Sequence, residues 1–204
     1  MHLDEALTQI TEIQARIADA ETFRGYRSLT VAFSGGIGVA AAVVQAIYIP
    51  RPQLQLSEYL TLWLAAAAIN LAIVGAELVW CCRRTGSPRM TRLTRLAVEQ
   101  FLPCIVAGAV LTTVLALTAP ECCWTLPGLW ALLFSLGVFA SHRLLPRAVF
   151  WVGVFYLLAG GLCLAVGQGD FALSPWLMAG TFGAGQGLTA VILYWTLERC
   201  HETP

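Results

Sequence analysis

Apolar residues gather along the chain in six blocks, roughly 29–49, 60–82, 97–118, 127–144, 148–167 and 175–196. Each is about 20 residues long, enough as helix to cross ~30 Å of hydrocarbon. The pattern predicts an all-α polytopic membrane protein, a six-transmembrane-helix bundle. The fourth block is the weakest, because Gly128, Ser135, Gly137 and Ser141 dilute it. Ahead of the first block the period changes. Leu3, Ile10 and Ile17 fall at one heptad position, Ala6, Ile13 and Ala20 at another, and Leu7 widens the stripe. This predicts an amphipathic helix over 3–21. Three parts follow: 1–28 as cytoplasmic amphipathic helix and interfacial elbow, 29–197 as six-span domain, and 198–204 as short cytoplasmic tail.

Composition supports the membrane reading. Only 12% of the 204 residues are charged and 58% are apolar, against about 25% charged in a soluble domain. The charge is also segregated, since residues 1–28 hold eight charged side chains and 29–82 hold only Arg51, Glu58 and Glu77.

Arginines orient the bundle. Arg24 and Arg27 precede the first block, Arg83, Arg84, Arg89, Arg92 and Arg95 lie between the second and third, Arg143 and Arg147 between the fourth and fifth, and Arg199 after the sixth. The opposite loops carry only Arg51. The positive-inside rule then puts both termini in the cytoplasm, in what reads as a bacterial inner membrane. The acidic N-terminus lacks a basic region before a cleavage site, so the first block reads as a retained anchor. Trp63, Trp124 and Trp176 fall at the outer interface and read as anchors there.

The blocks also pair. Arg27, Arg95 and Arg147 open the odd blocks, and Trp63, Trp130 and Trp176 follow 36, 35 and 29 residues later. Thirteen residues after Arg95 and Arg147 stand Gly108 and Gly160, with Ala40 in the first unit. Three repeated helical hairpins would produce this spacing, as would any hairpin that starts at an inner arginine.

The helix over 3–21 is acidic on its polar face, with Asp4, Glu5, Glu12, Asp19 and Glu21 against Arg16. An anionic leaflet repels such a face. Its apolar stripe is expected to pair with another chain or to dock on the segment Arg83–Arg95. Phe23-Arg24-Gly25-Tyr26-Arg27 forms an elbow whose arginines face lipid phosphates. Ser87-Pro88 reads as the start of a helix that begins outside the membrane and runs into the third block.

Inside the membrane, Asn70, Glu77 and Cys81 share one helix face. An unpaired carboxylate there costs a few kcal/mol. Either it lines a polar path, with Gln186 a further member, or it ties to Arg83, Arg84 or an arginine of a neighbouring span. Gly180, Gly183 and Gly187 make a small-residue stripe suited to close helix packing, and Arg95 and Glu99 stand at ion-pair spacing. Cys122 or Cys123 could bridge to Cys163 in an oxidising compartment. Cys81, Cys82, His142, Cys200 and His201 are soft ligands that would meet only if three spans converge.

Exclusions are sharper. All 12 basic residues are arginine, so no lysine exists for a Schiff base. HExxH, GxSxG, the P-loop and CxxC are all missing from the sequence. No basic tract suits nucleic acid. The sequence calls for no cofactor and no metal. It reads as a non-enzymatic scaffold, sensor or complex subunit, whose partners are membrane lipids and a second copy or another membrane protein. The alternatives are a small-solute transporter or channel lined by Asn70 and Glu77, and a redox or metal-dependent enzyme.

Overall fold

The computed structural model describes residues 28–86, 88–142 and 147–195. The expected helix over 3–21, Arg24, Arg27, Cys200 and His201 lie outside them. Every element among the described residues is helical. Helix α1 spans Ser28–Tyr48 and α2 spans Leu56–Thr85. Helix α3 spans Pro88–Thr118, and α4 spans Leu126–Ser141 after a 3-10 segment, Pro120–Thr125. Helix α5 spans Phe150–Val166 after a 3-10 turn, Arg147–Val149. Helix α6 spans Pro175–Leu193, with a π turn over Ala179–Gly183.

Five of these elements are long and apolar enough to cross a membrane, which marks the chain as a membrane protein. The short one is α5, at 17 residues, or ~25 Å of helix. The sequence points instead to the fourth block as weakest. That block gains length from the 3-10 segment, which makes a 22-residue apolar element. Its glycines and serines serve packing: Gly128 and Gly137 are buried, and the Ser135 hydroxyl donates to the Gly153 carbonyl at 2.8 Å.

Local chemistry sets the helix ends. Gly86 adopts φ 59° and its N–H donates to the Cys82 carbonyl, closing α2 in a left-handed cap. Pro88 opens α3, which then runs unbroken into the third apolar block.

In space the helices follow the order α3, α4, α5, α6, α1, α2. The tightest crossing joins α4 to α5, where a β-carbon on Gly128 would lie 2.8 Å from the Gly160 carbonyl oxygen. Helix α1 meets α6 almost as closely, since a β-carbon on Gly35 would lie 3.2 Å from the Gly183 carbonyl oxygen. Two buried cores result. Val31, Val138, Val149, Tyr156 and Leu193 form one at the arginine-rich end. Ala42, Tyr59, Trp63, Leu173 and Met178 form the other, toward the opposite loops. The Phe182 ring, in the π turn, packs against both.

Burial is uneven. The apolar window of α4 is 44% buried, that of α2 only 11% and that of α3 only 6%. Apart from a bond between the Cys82 thiol and the Thr94 hydroxyl at 3.3 Å, α2 and α3 present long apolar faces outward. One of these, around Pro103 on α3, forms an open groove of about 660 Å³.

Candidate functional site

One face of α2 carries Tyr59, Trp63, Ala66, Asn70, Glu77 and Cys81 at helical spacing. Tyr59, Trp63 and Ala66 are buried, whereas Asn70, Glu77 and Cys81 are half-buried. The face is therefore packed at the end remote from Arg83 and progressively opened toward the arginine-rich end. At the opened end Asn70 Oδ1 and Glu77 Oε2 are both shut off from solvent with no hydrogen-bond partner. An orphan acceptor in a low-dielectric setting costs about 1–3 kcal/mol.

Among the described residues the expected tie from Glu77 to an arginine is not made to Arg83 or Arg84. Both arginines are exposed, and the Arg84 guanidinium lies 5.1 Å from the centre of the Trp80 ring. The arginine reaches outward along its own helix, keeping its charge in water over an aromatic face. Arg92 is likewise exposed. Arg95 donates from Nε to Glu99 at 2.6 Å, as the four-residue spacing implies. Gln186 belongs to a different contact: its β-carbon faces Gly35 across the α1–α6 crossing. Neither the α3 groove nor the outer cavity described below is lined by Asn70, Glu77 or Gln186.

The glycine stripe of α6 is used in part. A β-carbon on Gly183 would meet Val39 at 2.8 Å, and the Gly187 backbone nitrogen lies against Gly35. Gly180 has nothing within 4 Å, so it takes no part in packing within the chain. Two glycines outside the stripe fit more tightly. Gly160 packs on Gly128, and a β-carbon on Gly185 would lie 2.5 Å from the Tyr156 ring.

The thiols are dispersed. Cys122, Cys123 and Cys163 are unbridged, and Cys163 Sγ lies 3.3 Å from the Thr181 hydroxyl. His142 Nδ1 lies 2.6 Å from the Phe139 carbonyl. Among the described residues no three His, Cys, Asp or Glu side chains gather as a metal would need, so Cys81, Cys82 and His142 do not converge.

The chain matches no family model, no curated protein and no solved structure.

Sequence reasoning missed Gln45, which is fully buried near the C-terminal end of α1. Its Nε2 donates to the Leu173 carbonyl at 2.7 Å, and its Oε1 accepts from Trp63 Nε1 at 2.8 Å. One side chain thus joins α1, α2 and the loop before α6. Trp63 is 5% exposed and so belongs to the core; it is not an interfacial anchor. Trp176 is exposed, as an anchor would be. The available signal was the position of Gln45, a lone amide at the end of an apolar block. At such a position an amide reads as facing headgroups.

Two other bonds resemble the Gln45–Trp63 pair. Trp130 Nε1 donates to the Thr112 hydroxyl at 2.8 Å, and Cys163 pairs with Thr181. All three pairs are separated by 18 residues, and each ties the two arms of one hairpin.

Proposed function

We propose that the chain is a six-span inner-membrane protein that catalyses no reaction and acts as a subunit, pairing within the bilayer through α2 and α3. The Arg83–Arg95 side faces the cytoplasm with both termini, and α5 spans with help from the 3-10 turn that precedes it. The hairpins are three copies of one unit. The shared 18-residue separation of their cross-links supports this reading. In it Thr181, and not Trp176, is the counterpart of Trp63 and Trp130.

The observation that carries the functional reading is the outward surface of α2 and α3, whose apolar windows are only 11% and 6% buried. Leu71, Val79 and Trp80 of α2 and Val106, Val110 and Val114 of α3 are exposed on it, and close helix packing can cover such a face. The occupant is a second copy, because a self-complementary face closes with two-fold symmetry.

Native mass spectrometry of protein in nanodiscs tests this. A dimer is expected, dissociating several-fold more readily after Leu71→Trp, which puts a bulky ring on the exposed face of α2. A monomer at every protein concentration overturns the proposal, and a stoichiometric complex with a different membrane protein replaces the second copy as occupant.

The half-buried face of α2 supports a second reading, a path for protons or small cations along Asn70 and Glu77. Uptake into proteoliposomes that disappears in Glu77→Gln would move the conclusion to transport.

A further inference from the structure

Three loops meet at the end of the bundle remote from Arg83–Arg95: 49–55, 119–125 and 167–174. Together they enclose a cavity of about 650 Å³. Its polar wall is Gln53, Glu121, Trp124 and Gln168, and Leu56 and Leu173 are among its apolar lining. Every loop contributes, so the cavity belongs to the bundle as a whole and exists only when all three hairpins are assembled.

The cavity is built. Gln53 Nε2 donates to the Gly169 carbonyl at 3.0 Å, clasping the first loop to the third. Gly169 takes φ +66°, a conformation open to glycine at little cost. The Trp124 ring is half-buried and lies in van der Waals reach of Gly167, where a β-carbon would be 3.8 Å from Cε3. Leu173 is held from beneath by the bond from Gln45 to its carbonyl.

Among the described residues that line the cavity, Glu121 is the only charged one. A carboxylate, an indole face and amide oxygens on an apolar floor are the groups that recognise an organic ammonium. The carboxylate compensates its charge, the indole attracts it through the ring quadrupole, and the apolar surface takes its alkyl groups.

We infer that this outer cavity binds a quaternary or substituted ammonium group. The site is separate from the α2 face and does not depend on the pairing proposed above. Its ammonium comes from a lipid headgroup or from a free solute.

The test uses the full chain in nanodiscs of phosphatidylglycerol, which offers no lipid ammonium, titrated with choline and with dimethylbutanol, the uncharged carbon isostere. Saturable choline binding is expected, with the isostere about 10-fold weaker, within the range of one cation–π contact plus a carboxylate. Glu121 is exposed, so Glu121→Gln leaves the fold intact. It is expected to weaken choline several-fold and leave the isostere unchanged. Trp124→Leu is expected to weaken choline likewise. Repeating the titration in phosphatidylcholine separates the sources: loss of the choline signal assigns the site to a lipid headgroup, and its persistence assigns it to a solute. Absence of saturable binding in phosphatidylglycerol, equal binding of choline and isostere, or indifference to both substitutions overturns the inference.

Discussion

Gln45 shows how much a single amide can hold. Its side chain satisfies an indole donor on α2 and a backbone acceptor ahead of α6 at once. Gln45→Leu keeps the volume but orphans both partners, each at about 1–3 kcal/mol. Thermal unfolding should therefore show a clear loss of stability. Removing the orphaned donor as well, in Gln45→Leu/Trp63→Phe, should cost less than the two single changes summed, because the residues act as a pair. Additive losses would mean that the bond contributes nothing beyond packing. At this scale the sequence was partly legible. The Arg95–Glu99 pair follows from spacing alone, since four residues on a helix put both ends on one face. The Gln45 contacts do not, because their partners lie 18 and 128 residues away.

Helices were easier to place than their contacts. Hydropathy over about 20 residues is a strong signal for a span, and six helical elements fall where the apolar blocks predict. Which glycines lie at crossings is decided by neighbours that no local period encodes. The regular stripe of α6 drew attention to Gly180, which faces open space, while Gly128 and Gly160 in different blocks form the closest crossing. The difference is measurable. A methyl at Gly128 would meet backbone, which cannot rotate aside, so Gly128→Ala should cost about 1–3 kcal/mol. Gly161, one residue from Gly160, has nothing within 4 Å. Gly161→Ala should be neutral or stabilising by up to about 1 kcal/mol, through helix propensity. Equal effects of the two substitutions in a denaturant titration would contradict this packing.

For the whole molecule, arginine placement predicts a sidedness that cysteine chemistry can read. Cys122 is exposed at the loop end, and Arg92 is exposed at the other. In a background free of other cysteines, a membrane-impermeant maleimide should label Cys122 only from outside intact cells. Arg92→Cys should label only after the cells are opened. Labelling of both from one side would overturn the six-span topology, in which the single crossing of α3 separates them. Why two helices of six bury so little could not be read from the sequence. A span facing lipid and a span facing a partner are equally apolar, so hydropathy does not separate them.

The two cores touch the same ring, Phe182, and that ring sits where α6 departs from regular helix. A π turn carries one more residue per loop of hydrogen bonds than an α-helix, so it can be lost or shifted along the chain without unfolding its flanks. Phe182 is thus a shared bearing between the two leaflets. If the turn migrates by a residue, the ring swings by about 100° around the helix axis and leaves both cores together. Because both halves of the bundle rest on this one ring, Phe182→Ala should loosen the two cores together.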